Sequence, residues 1–275
     1  MRRMLTPLQR GSIHNAMAPQ EHRRHDGSST GAERAVTGLT ERQQSILGAA
    51  VREYVATAAP VASGDLVRKY QLPYSAATVR NEFLELDRAG YLTQPHTSAG
   101  RVPTDRGYRF FINRELKADG EERVGPRETE ALREIRSLGD PVEFVRQSSR
   151  ILAELTHNFV LTGFPQDELF YKAGLAEVME EPEFKNLECV HEFTRLAEAI
   201  EDEIQNAFAS LEFDEPQTFI GSENPIRQAR RYGMIVSSCG TPFAKQSVIA
   251  LVGPKRMDYG HHVAVLREFR ELLGA

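Results

Sequence analysis

Between Thr40 and Gly90 the apolar residues recur at helical spacing in three short runs, each bounded by a capping residue, a proline or a glycine. A run this short can bury only one stripe, so the three helices must pack their stripes on one another. In the first run Thr40 stands before Glu41, and Ile46, Leu47, Ala50, Val51 and Tyr54 form the stripe of a helix ending near Thr57. Ala58-Ala59-Pro60 breaks it. Ser63 is expected to cap a second helix that carries Leu66, Val67 and Tyr70 and stops before Pro73. Ser75 is expected to cap the third, in which Ala76, Val79, Phe83 and Leu86 share the buried face and Gly90 closes the helix in a left-handed conformation.

The segment after the third helix narrows the architecture. Tyr91-Leu92-Thr93-Gln94 has strand character, His96 to Gly100 is a short polar turn, and Arg101-Val102 leads back to Pro103. Thr104-Asp105 then opens a fourth helix through Tyr108, Phe110, Phe111 and Ile112 to about Leu116. Three helices, two strands and a loop in this order are the parts of a winged helix-turn-helix, expected over residues 38–117.

The residue types on the free face of the third helix suit double-stranded DNA. Small residues at Ser75, Ala76 and Ala77 let the helix N-terminus approach a phosphate, where free amides and the positive dipole end favour an anion. Arg80 suits guanine, Asn81 suits adenine, and Thr78 suits a polar edge or a thymine methyl. The expected recognition residues are therefore Ser75, Ala77, Thr78, Arg80 and Asn81. His96, Thr97, Ser98 and Arg101 are expected to contact the backbone from the wing, with Arg106 and Arg109 behind them. A capped helix bearing Arg and Asn is common on ordinary surfaces, and winged-helix modules also serve as protein-interaction domains. The conjunction with the short second helix and the wing is what favours DNA.

The net charge of −5 conceals an asymmetry in the same direction. Residues 1–36 hold six basic against three acidic side chains, residues 37–119 eleven against nine, and residues 120–275 seventeen against twenty-seven. A basic front on an acidic body fits a chain that presents one end to a polyanion. Residues 1–37 are expected to be a disordered basic arm, because their scattered apolar residues have no period. No apolar run reaches the length of a membrane span and the basic start lacks a leader's apolar stretch, so a cytoplasmic setting is expected. Cys189 and Cys239 stand alone, which argues against a disulfide framework.

After a charged linker at 118–127, the body at 128–275 alternates helices and strands. Helices are expected at 128–138 and 142–158, the second buried through Val142, Val145, Leu152 and Leu155. Next come a strand at Phe159-Val160-Leu161, a strand pair from Phe170 to Val178 and a long acidic helix from Pro182 to Ser210. The remainder holds a strand at Thr218-Phe219-Ile220, paired strands at Tyr232–Ser238 and Ser247–Val252, and a last helix capped by Asp258 and running to Leu273. The whole reads as α+β, with antiparallel strands and helices on one side of the sheet.

Enzymatic chemistry is not indicated. Gly253 to Asp258 lacks the glycine spacing and Lys-Ser/Thr pair of a phosphate-binding loop, so it reads as a strand end followed by a cap. Cys189 and His191 sit two apart on a helix and cannot share a metal. Glu180, Glu181 and Glu183 read as solvated helix-start charges, and His157, His261 and His262 show no partner in sequence. With no nucleophile-and-base arrangement, the chain is read as a non-enzyme without cofactor or metal.

The stretch Tyr74-Ser-Ala-Ala-Thr-Val-Arg-Asn-Glu-Phe-Leu-Glu-Leu-Asp-Arg-Ala-Gly-Tyr-Leu-Thr-Gln-Pro-His-Thr-Ser-Ala-Gly-Arg-Val-Pro-Thr-Asp-Arg-Gly-Tyr-Arg109 closely resembles the DNA-binding region of the heat-inducible transcription repressor family HrcA. Phe219-Ile-Gly-Ser-Glu-Asn224 and Gly253-Pro-Lys-Arg-Met-Asp-Tyr259 resemble a second signature of that family. The resemblance implies a repressor that binds an inverted-repeat operator upstream of chaperone genes as a homodimer, whose folding or activity is supported by the GroE chaperonin and whose repression is relieved by heat. It also implies a GAF-like α+β domain after the winged helix, carrying a dimerisation insert. Helix 142–158 runs almost at once into Phe159–Phe170, so the body is expected to be a truncated GAF-like domain without that insert.

Overall fold

The computed structural model describes residues 38–97, 99–118, 124–208 and 211–274, so the expected basic arm, Ser98 and the middle of the expected linker lie outside the described residues. Helix α1 spans Glu41–Thr57, α2 Ser63–Tyr70 and α3 Ala76–Arg88. They bury Ile46, Leu47, Val51, Leu66, Val79, Phe83 and Leu86 together. Strands β1 (Leu92–Thr93) and β2 (Val102–Pro103) pair antiparallel, and α4 (Asp105–Ala118) comes directly after them.

Two details of phase differ from the sequence-based expectation. The cap of α2 is Ala62, which offers no side-chain bond, and Ser63 is the first helical residue and is buried. In α3, Ala76 is exposed and Glu82 takes its place on the buried stripe. The Arg42 guanidinium from α1 pairs with Glu82, which is what makes that burial tolerable.

Among the described residues the body holds five strands: β3 (Phe159–Phe164), β4 (Leu169–Ala173), β5 (Gln217–Ile220), β6 (Gly233–Cys239) and β7 (Ser247–Gly253). They form one antiparallel sheet in the order β4-β3-β7-β6-β5, with Val160 opposite Leu251 and Met234 opposite Val252. Helices α5 (Pro126–Arg136), α6 (Pro141–Thr156), α7 (Leu175–Met179), α8 (Leu187–Phe208) and α9 (Tyr259–Leu273) complete it.

Helices cover both faces, which corrects the expectation of a one-sided sheet. On one face Phe159, Leu161, Met234, Val236, Val248 and Ala250 pack against Phe193, Leu196, Ile200 and Ile204 of α8. On the other, Phe164 stacks on Phe144 of α6 at 5.9 Å between centroids, and Phe144 lies 6.4 Å from Phe269 of α9. Every residue of β3, β6 and β7 is accordingly buried. The unbroken apolar runs Val248-Ile-Ala-Leu-Val252 and Met234-Ile-Val236 are what such two-sided burial demands.

Other boundaries shift for local reasons. The expected strand pair over Phe170–Val178 is one strand and then α7, because Gly174 (φ 84°) turns the chain after β4. The expected helix from Pro182 starts as a 3-10 turn over Pro182–Lys185, and the α-helix proper begins at Leu187. In α6 the buried face runs through Phe144, Val145, Ser148 and Leu152, leaving Val142 exposed.

Candidate nucleic-acid interface

The free end of α3 is built by its cap. Ser75 Oγ accepts from the Thr78 amide at 3.1 Å and lies 2.8 Å from Thr78 Oγ1, which fixes the first turn. Beyond it Ala77, Arg80 and Asn81 are exposed and Thr78 is half-buried. Arg80 has no ion-pair partner among the described residues. One turn further along stands Leu84, 43% exposed, on the same face by its spacing of three and four from Asn81 and Arg80. Leu84 is absent from the residues expected on sequence grounds, although its i+4 position after Arg80 was the available signal.

The wing divides. His96 and Thr97 are exposed at its tip, and Gln94 Nε2 closes the turn by donating to the Thr97 and Ala99 carbonyls at 3.0 and 2.9 Å. Arg101, expected on the phosphates, is instead buried. Its backbone exchanges hydrogen bonds with Val61 at 2.8 and 2.9 Å, and its Nε lies 3.0 Å from Asp87 Oδ2 of α3. It is a structural brace between the β1-β2 hairpin and α3. Gly100 permits that brace, since a Cβ there would run into the Val61 backbone. Gly100→Ala should therefore cost about 1–3 kcal/mol of stability, measured by urea unfolding of the full chain. A change under 0.5 kcal/mol, on the order of an ordinary surface substitution, would contradict the close approach.

Arg106 stays exposed but is engaged. Its guanidinium lies 4.3 Å above the Tyr91 ring centroid and donates to the Ala89 carbonyl at 2.8 Å. Arg109 is a further correction, because it faces the body. Its Nε donates to Glu223 Oε1 at 3.0 Å, while Nη1 and Nη2 donate to Thr218 Oγ1 and the Thr218 carbonyl at 2.8 and 2.7 Å. A guanidinium so used cannot also neutralise a phosphate. The exposed expected residues are thus Ser75, Ala77, Arg80, Asn81, His96, Thr97 and Arg106.

Arg109 belongs to a polar seam that joins α4 to the body. One turn before it, Asp105 Oδ1 is 2.5 Å from Lys255 Nζ, and Oδ2 accepts from the Ser222 amide and hydroxyl at 2.9 and 3.0 Å. Burial raises the Asp105 carboxyl, but the Lys255 and Ser222 donors outweigh it and hold the group below the ordinary carboxylate value. Gly221 (φ 54°) leaves room for this carboxylate, which a Cβ would overlap. Nearby, Arg256 is held by Glu183 at 2.8 and 3.0 Å and by Glu181, and donates to the Val55 carbonyl of α1 at 3.4 Å. Glu181 and Glu183 are therefore ion-pair partners rather than solvated charges, and 253–259 is a docking segment as well as a strand end and cap.

The histidines also acquire neighbours. His261 Nε2 lies 3.3 Å from Glu128 Oε1, and buried His262 lies 3.5 Å from Asn158 Nδ2. Burial lowers the His262 pKa to about 4, with His261 and His157 adding to the shift and Asp258 opposing it. A histidine held neutral below its ordinary value of about 6.5 costs stability as pH falls, because the unfolded chain takes the proton first. Lowering pH from 7 to 4.5 should remove about 2–3 kcal/mol through this group. His262→Gln should be less acid-sensitive by that amount in urea titrations at the two pH values, and equal losses in both proteins would refute the assignment. No cluster of three metal-type side chains occurs among the described residues, and no described helix is long and apolar enough to cross a membrane.

Comparison with known proteins finds one family along this chain. The family model of the HrcA protein C-terminal domain matches residues 127–263. A heat-inducible transcription repressor HrcA of Chloroflexus aggregans is 43% identical over 132 residues, covering 47% of this chain and 34% of that protein. Its counterpart in Chloroflexus aurantiacus is 40% identical over 163 residues, covering 58% of this chain and 40% of that protein. The matched stretches thus span little more than a third of these relatives' length. A crystal structure of a hypothetical protein superposes with a TM-score of 0.73 at 20% identity, covering 86% of this chain and 98% of that one, so the fold itself has a solved counterpart. Taken together, the domain match and the relatives place the chain in the HrcA family.

Proposed function

We propose that the chain is a heat-inducible transcriptional repressor that reads double-stranded DNA through the N-terminal half of α3, in a winged helix-turn-helix whose wing is β1-β2. The observation that carries this reading is the exposed face Ser75, Ala77, Arg80 and Asn81, whose arginine has no ion-pair partner among the described residues and stands on a capped helix end. Such an end binds phosphate, and Arg and Asn can read guanine and adenine edges. His96, Thr97 and Arg106 contact the backbone beside it. The names of the relatives support the role of repressor.

On this reading the partner is an inverted-repeat operator at a chaperone promoter, bound by a homodimer in the cytoplasm, with a truncated GAF-like body and with repression supported by GroE and relieved by heat. On this reading the chain acts as a repressor and not as an enzyme, in keeping with the names of its relatives. Fluorescence anisotropy with a labelled chaperone-promoter duplex tests the proposal. Binding should weaken steeply as salt rises from about 50 to 200 mM, in proportion to the phosphates neutralised. No binding at the low-salt end would refute it.

A further inference from the structure

The two segments that carry the second family-like signature converge on one helix face. Ser222 and Glu223 come from the turn after β5 and Lys255 from the turn after β7, and all three meet α4 at Asp105 and Arg109. Asp105 and Arg109 are four apart and so lie on one side of α4, one turn from each other. Two anchors one turn apart oppose both sliding and rotation of the helix, which a single pair would not. Helix α4 leaves β2 with only Thr104 between them, and Gly107 packs so closely under Tyr91 that a Cβ would meet its carbonyl oxygen. Holding α4 therefore holds the wing and, through the Arg101–Asp87 brace, α3.

We infer that Asp105 and Arg109, with Lys255, Ser222, Glu223 and Thr218, are positioning residues that set the angle at which the body presents α3, and hence the half-site spacing a two-copy complex accepts. This rests on the proposed function, since spacing has meaning only for a protein that binds two half-sites. None of the six needs to touch DNA. Their effect is a coupling between the body and the reading helix, which single half-site binding does not require.

The test uses the full chain, the duplex protected on a chaperone promoter, the same duplex with 1–4 base pairs inserted between its halves, and a single half-site. Wild type should lose about tenfold in affinity when the spacing is wrong. Lys255→Ala, which lies in the body, should bind the single half-site as wild type does but show a flattened spacing profile, and Lys255→Arg should restore the sharp one. An unchanged profile in Lys255→Ala overturns the inference. So does an equal loss on single and paired half-sites together with a lowered melting temperature, because that marks a purely structural contact. Failure of wild type to bind any of these duplexes instead overturns the proposed function, and this inference with it.

Discussion

Phe193→Ala should destabilise the body by about 3–5 kcal/mol, among the largest effects available to a single substitution in this chain. Phe193 is fully buried on α8 and meets Phe159 at 5.7 Å, Phe184 at 5.1 Å and Tyr232 at 4.9 Å between ring centroids, each in an edge-to-face arrangement. Removing the ring takes away its burial and leaves a void that three rigid aromatic neighbours cannot readily fill. Tyr232 and Phe184 are themselves stacked 6.3 Å apart, which limits their freedom to collapse inward. Urea unfolding of the full chain checks this, and a loss below about 1 kcal/mol would mean that α8 repacks or does not cover the sheet as described.

The second large effect concerns Arg80. Replacing it with alanine should cost about 1–3 kcal/mol of operator binding and relax preference at one base position. Folding should be unaffected, because Arg80 is exposed and has no ion-pair partner among the described residues. Arg101→Ala should behave in the opposite way, lowering stability through the lost Asp87 pair before any effect on DNA is read. Measuring melting temperature and operator affinity for both variants separates a reader from a brace. Equal losses of stability in the two would contradict the assignment.

That contrast marks how far the sequence is legible. Features set by a few adjacent residues are readable: Ser75, Asp140 and Asp258 each cap their helix through an amide three residues on, and Ser75 and Asp258 stand out as caps in the sequence. The paired strands Gly233–Cys239 and Ser247–Gly253 stand where the apolar runs place them. Helix phase is less legible when a charged residue replaces an apolar one, as Glu82 does with Arg42 as its distant partner. The role of an arginine is least legible of all. Arg80, Arg101 and Arg109 are the same chemical group, and only the approach of Asp87 or Glu223 decides which of them is occupied. Glu223 lies 114 residues from Arg109 and Lys255 lies 150 from Asp105, distances at which no local pattern operates. The signature-like segments at 219–224 and 253–259 are visible in sequence, but their shared target on α4 is visible only in three dimensions.

The central claim, that the exposed end of α3 reads DNA, is tested most directly by a nuclease footprint of the full chain and of Arg80→Ala over a chaperone promoter. Wild type should show two protected half-sites in inverted orientation, and Arg80→Ala should protect them only at about 10-fold or more higher protein concentration. Absence of protection in wild type, or an identical footprint and concentration dependence in Arg80→Ala, would contradict the claim.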